Sequence, residues 1–156
     1  MATLIQGDEL RTITLGRRVD KAAATLPQTT TDNLFTISGG QVLLTSIVGE
    51  VTTVVQTQAN NTKLTLNPTA TGASQDMCAV LDITADAVGE LYTISGTVGD
   101  ALRSDLLVGL NSLWGAGGMV LSEGVIELNC AASNTGATKW YLTYIPLDDG
   151  ASVAAA

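Results

Sequence analysis

Histidine is absent from this chain, and cysteine occurs only twice, as Cys78 and Cys130. Without imidazole, the Ser-His-Asp and Cys-His schemes lose their usual base, and the common zinc ligand sets cannot be assembled. Each cysteine sits in an apolar segment, Met77-Cys78-Ala79-Val80-Leu81 or Leu128-Asn129-Cys130-Ala131-Ala132. That setting favours two buried, reduced thiols over a disulfide. Charge is also scarce: Asp, Glu, Lys and Arg make up 14% of the 156 residues, against about 25% in ordinary soluble domains. No apolar run approaches the ~18–20 residues that a spanning helix needs. The run from Val42 to Val48 is interrupted by Thr and Ser. Met1 to Asp8 has neither the basic nor the apolar region of a signal peptide. A soluble protein made in the cytoplasm is expected, with part of its charge-poor surface covered by a neighbour.

What charge there is lies unevenly. In residues 1–25, Arg11, Arg17, Arg18 and Lys21 stand against Asp8, Glu9 and Asp20, a net of +1. Beyond them only Lys63, Arg103 and Lys139 face twelve carboxylates, a net of −9, which completes the overall −8. An acidic body repels nucleic acid and anionic membranes, so neither is expected as a partner. The first 25 residues admit two readings: a loosely ordered terminus, or an arm that docks on an acidic neighbour.

The phrase Leu34-Phe35-Thr36-Ile37-Ser38-Gly39 returns as Leu91-Tyr92-Thr93-Ile94-Ser95-Gly96. Each copy reads as a strand with its aromatic and Ile on one face, running into a glycine turn. The two copies are expected as equivalent strands in the two halves of a sandwich or as a chance match, with Phe35 and Tyr92 in the core either way. Alternation predicts strands at 34–38, 41–48, 50–58, 62–67, 77–84, 90–95, 106–109, 119–122, 124–130 and 138–146. Turn signals separate them, among them Gly39-Gly40, Gly49-Glu50 and Asn134-Thr135-Gly136, and Gln58-Ala59-Asn60-Asn61-Thr62 is the strongest hairpin signal. Ahead of these strands, Arg11 to Leu15 alternates as a short strand, and Val19 to Leu26 suits two helical turns before Pro27. The expected fold is all-β: a two-layer antiparallel β-sandwich of jelly-roll type over 26–150, with an extended N-terminal arm at 1–25 and a flexible C-terminal tail at 151–156.

Chemistry-bearing patterns are thin, and no enzyme, metal or cofactor is expected. Asp82, Asp86 and Glu90 are close enough in sequence for carboxylate-pair chemistry, but they fall where a strand runs into a turn, and solvated loop carboxylates explain them better. Asp148-Asp149-Gly150 has the oxygens for a calcium ion, yet reads more simply as an acidic end to the last strand. Gly115, Gly117 and Gly118 lack the strand-to-helix frame of a phosphate loop. One Phe, three Tyr and two Trp are too few for a carbohydrate platform. Trp114, on a glycine-rich stretch, is either a plug at one end of the sandwich or an interface anchor.

Residues Leu26-Pro27-Gln28-Thr29-Thr30-Thr31-Asp32-Asn33-Leu34-Phe35-Thr36-Ile37-Ser38-Gly39-Gly40, and then Ile47-Val48-Gly49-Glu50-Val51-Thr52-Thr53-Val54-Val55-Gln56, resemble small structural proteins of tailed bacteriophages. So does Ala131-Ala132-Ser133-Asn134-Thr135-Gly136-Ala137-Thr138-Lys139-Trp140, leading to Ile145-Pro146-Leu147. The resemblance spans roughly residues 26–150 and lies in texture and a few phrases. It implies a capsid decoration (cement) protein on the exterior of the virion, bridging subunits of the major capsid protein. Proteins of that kind are often trimers that reach neighbours with extended termini. Under this expectation Arg11, Arg17, Arg18 and Lys21 face the capsid, and Trp114 anchors an interface. The alternatives are a receptor- or glycan-binding module of a head fibre or tail tip, and a head-completion or tail subunit.

Overall fold

The computed structural model describes residues 5–70, 72–106, 113 and 117–156. Among them are one short helix, α1 (Gly7–Leu15), and two six-stranded sheets packed as a sandwich. The first sheet runs β1 (Arg17–Thr25), β11 (Ala137–Pro146), β3 (Val42–Thr53), β7 (Glu90–Thr93), β8 (Arg103–Leu106), with β9 (Met119–Leu121) beside the start of β3. The second runs β12 (Ser152–Ala155), β2 (Thr31–Ser38), β10 (Gly124–Cys130), β4 (Asn61–Pro68), β5 (Gln75–Asp76), with β6 (Leu81–Asp82) beside the start of β4. Neighbouring strands within both sheets are antiparallel.

Period-two alternation builds the core. Ile126, Leu128 and Cys130 of β10 face inward against Leu64 and Leu66 of β4, while Leu142 and Tyr144 of β11 meet Ile47 and Leu44 of β3. The two copies of the repeated phrase begin in opposite sheets, the first in β2 and the second in β7, which ends at Thr93 so that Ile94 follows it; Phe35, Ile37, Tyr92 and Ile94 are all buried. Leu34 is buried beside Phe35 because the ladder shifts there: Phe35 pairs with Ile126 and Asn33 with Glu127, leaving Leu34 without an opposite residue. Such a bulge turns two successive side chains toward one face.

Several expectations are corrected. Residues 7–15 are helical, because the Glu9 carboxylate reaches back 3.0 Å to accept the Gln6 N–H and acidic groups occupy the first turn. Both features favour a helix N-terminus. Gly16 ends the helix at φ +91°, and a Cβ there would overlap the carbonyl of Tyr144. Residues 17–25 form a nine-residue strand in place of a loose arm. The helix propensity of Ala22-Ala23-Ala24 gives way to the ladder along β11 and to Val19, which packs on the core. Propensity is a weak prior against a waiting sheet edge. At the other end, residues 152–155 pair with β2 and bury Val153, so they are an edge strand and not a flexible tail.

Two turn signals also resolve differently. β3 runs unbroken through Gly49-Glu50, and the Gln58–Thr62 segment is no hairpin, since it carries the chain from β3 in one sheet to β4 in the other. Asn60 is buried in that crossing, where its N–H donates to Asp82 Oδ1 and its Oδ1 accepts the Ala132 N–H. Leu106 closes β8, and the rest of the strand expected at 106–109 lies outside the described residues.

Candidate functional site

α1 and the start of β1 bring Arg11 and Arg18 together on the outer face of the first sheet. α1 lies over this face on its polar side, so Asp8, Arg11, Thr12 and Leu15 look across a cleft at Arg18, Ser46, Tyr141 and Thr143. The cleft has a volume of about 460 Å³. The joint is set by Gly16 and by the Thr45 hydroxyl, which donates to the carbonyl of Leu15 and shares a 2.7 Å hydrogen bond with Thr143.

Arg18 is the best-held cation. Its guanidinium lies 4.1 Å above the centroid of Tyr141 and donates from Nε and Nη2 to Asp20 at 2.6–3.1 Å. The Asp20 hydrogen bond raises the Arg18 pKa, against a smaller opposing effect of burial. Arg11 enters the cleft from the helix side, so two of the residues singled out in the sequence converge. Arg17 opens β1 opposite Tyr144 and is exposed, and its side chain has no hydrogen bond or ion pair among the described residues. Lys21 is turned elsewhere: its ammonium donates at 2.7 Å to the main-chain oxygen of Ala156, tying the β1 edge to the β12 side of the sandwich. An inward-reaching lysine and a bulge between Lys21 and Ala24 both protect an edge strand from stray pairing. Lys21 is therefore a closure residue of the sandwich. Trp114 lies outside the described residues.

With two guanidinia, one aspartate and the hydroxyls of Thr12, Ser46, Tyr141 and Thr143 along its walls, and Asp20 already bound to Arg18, the cleft suits a polar or acidic side chain of a partner. Sequence reasoning missed Tyr141 and Asp20, because the pairing that sets them side by side joins positions 121 apart.

The far side of α1 is apolar and faces solvent. Ile5, Leu10 and Ile13 are 63%, 56% and 70% exposed, and no residue of the helix is buried. Ile5 and Leu10 hold the two positions of a hydrophobic staple, and Ile13 continues the stripe one turn on.

The other chemistry-bearing residues have structural work. Asp82 Oδ1 accepts the Thr84 hydroxyl and the N–H groups of Thr84 and Asn60, which lowers its pKa. Burial raises the pKa of Asp86, partly offset by the Tyr92 hydroxyl that donates to it at 2.6 Å. Glu90 is raised as well, by burial and then by Asp86. Asp148 Oδ2 accepts the Gln41 N–H at 2.6 Å and so clips the turn after β2. Cys78 and Cys130 are buried free thiols with pKa values raised by burial. Among the described residues, no three His, Cys, Asp or Glu side chains converge to hold a metal ion, and no helix is long and apolar enough to cross a membrane. No known protein family, curated protein or solved structure matches the chain.

Proposed function

We propose that this chain is a virion structural protein that decorates and stabilises a bacteriophage capsid by bridging major capsid subunits. One observation carries the reading: Arg11 and Arg18 line a single cleft on the outside of an otherwise acidic sandwich, with Arg18 stacked over Tyr141. Two charges on a semi-rigid helix–strand joint are prepared to clamp an acidic loop of a neighbouring coat subunit. The protein acts by binding the assembled lattice in preference to free subunits, which stabilises the lattice by mass action. The texture shared with small phage structural proteins supports the same reading.

The finer architecture is read as a jelly roll. Taking β1 to β4, β5 with β6, β7, β10 and β11 as the principal strands, β1-β11-β3-β7 faces β2-β10-β4-β5. Each of the first two strands thus pairs with one of the last two, and β1 to β4 alternate between sheets, as two interleaved Greek keys require. This order recurs in viral capsid and lectin domains. Fold-level analogy is the only warrant it lends to function.

The test is occupancy on capsids stripped of decoration. Arg11→Glu with Arg18→Glu is expected to lower binding at least tenfold with unchanged melting temperature, and binding equal to the parent's removes the reading. A glycan-binding module is the second reading. It is favoured by a cleft of about 610 Å³ walled by Thr25, Gln28, Thr30, Thr31, Asp32 and Thr135. Binding to host-surface glycans that is lost on Asp32→Ala, with no affinity for capsids, would select it.

A further inference from the structure

We infer that α1 pairs with α1 of a second copy of this chain, antiparallel about a twofold axis, through Ile5, Leu10 and Ile13. The inference goes beyond the decoration reading and does not depend on it. An amphipathic helix normally turns its apolar stripe to its own core. Here the polar side faces the body across an open cleft, and the stripe stands in water at 56–70% exposure. The stripe therefore finds no cover within the described chain, the usual mark of an interaction surface.

Charge selects the occupant. The first turn of α1 carries Asp8 and Glu9, its last turn carries no base, and Arg17 follows directly after Gly16. In a parallel pair, acidic turn meets acidic turn. In an antiparallel pair, Glu9 of each helix, which flanks Ile13, lies beside Arg17 of the other, and the helix dipoles oppose. A pattern that satisfies its own reversed copy is what an isologous twofold contact requires. Elsewhere the chain carries a net −9, so two copies repel except at this basic joint. Three side chains bury less than the roughly 800 Å² per partner of a standard interface, so the dimer is weak and reversible.

The experiment is sedimentation velocity on the full chain from about 10 µM to about 1 mM, a span that brackets weak association. The parent is expected to shift from monomer to dimer, with the shift suppressed by salt. Ile13→Asp is expected to weaken association at least tenfold while leaving the far-ultraviolet circular dichroism unchanged. Arg17→Asp is expected to weaken it too, and Arg17→Asp with Glu9→Lys to restore it by reversing the pair. Arg11→Ala, on the cleft side, leaves the dimer intact. A parent that stays monomeric overturns the inference, as does a trimer, or a dimer that Ile13→Asp does not touch. A monomeric parent whose capsid occupancy falls with Ile13→Asp also overturns it, by assigning the stripe to the coat lattice.

Discussion

Trp140 and Tyr92 stack across Gly49, with ring centroids 6.3 Å apart and planes 25° from parallel. Gly49 is the cross-strand partner of both, with Trp140 on β11 at one side and Tyr92 on β7 at the other. The rings meet because nothing projects between them. A Cβ on Gly49 would stand 2.7 Å from Cζ2 and Cη2 of Trp140.

Gly49→Ala is therefore expected to destabilise the sandwich. Trp140 is only 2% exposed and its Nε1 donates to Thr138 at 3.0 Å, so the ring cannot swing away. Overpacking of this kind costs about 1–3 kcal/mol, more than the ~0.4–1 kcal/mol that a Gly→Ala change gains through the unfolded chain. The melting temperature should fall by a few degrees, about 2–6 °C. In a Trp140→Phe background the smaller ring leaves room, so the cost of Gly49→Ala should shrink in a double-mutant cycle.

The same glycine explains part of what the sequence conceals. Gly49-Glu50 in a Thr- and Val-rich run looks like a turn, and only the register to two distant strands shows it as a gap for aromatic rings. Two strands flanked by neighbours on both sides were legible: β10 agrees residue for residue, and β11 within one, since tight burial enforces clean alternation. Residues 7–25 were not legible. A five-residue alternation cannot be told from a helix turn, and an alanine run becomes a strand only because the edge of β11 is open. The basic residues were visible as a group, but their division was not. Arg11 and Arg18 share a cleft while Lys21 closes the sandwich, and that depends on pairings more than a hundred positions apart.

Asp86 gives a pH dependence of definite sign. Burial raises its folded pKa, with the Tyr92 hydroxyl opposing and Asp82 adding. A carboxyl with a raised folded pKa binds its proton more tightly in the native state, so its contribution to stability falls as pH climbs through the usual carboxylate range to the folded value. Glu90 acts in the same direction and Asp82 in the opposite one. Asp86→Asn keeps an acceptor for Tyr92 and removes the buried charge. The variant is expected to exceed the parent in urea midpoint at neutral pH, with the gap closing as pH falls through the carboxylate range. A variant less stable than the parent at neutral pH would mean that the hydrogen bond to the ionised carboxylate outweighs its burial.

Among the described residues, Glu127 is held without a cation. It is 8% exposed and accepts from Thr65 and Asn67 of β4 at 3.2 Å and from Ser74 at 3.0 Å. Ser74 brings the connection after β4 over the outer face of the second sheet. Glu127→Ala leaves those donors without their acceptor and is expected to cost about 2–4 kcal/mol. Glu127→Gln keeps an oxygen for Asn67, and the two hydroxyls can rotate to accept from its amide, so the loss should be about 1 kcal/mol. Urea unfolding measures both. Hydrogen exchange adds a local readout: amides at 72–76 should lose protection in the Ala variant while those of β11 hold.

Truncation separates the helix from the strand behind it. α1 buries none of its residues, so removing residues 1–15 should change stability by no more than about 1 kcal/mol. Removing residues 1–25 also takes β1, which pairs with β11 from Arg17↔Tyr144 to Thr25↔Ala137 and covers the core with Val19. That leaves Lys139-Trp140-Tyr141-Leu142-Thr143-Tyr144-Ile145 as an open edge, rich in aromatic and β-branched residues and low in charge, the type of strand that templates aggregation. The longer truncation should lose several kcal/mol and elute as soluble aggregate on size exclusion, while the shorter one elutes as a folded species. Equal behaviour of the two would mean that β1 contributes no more to the sandwich than the helix does.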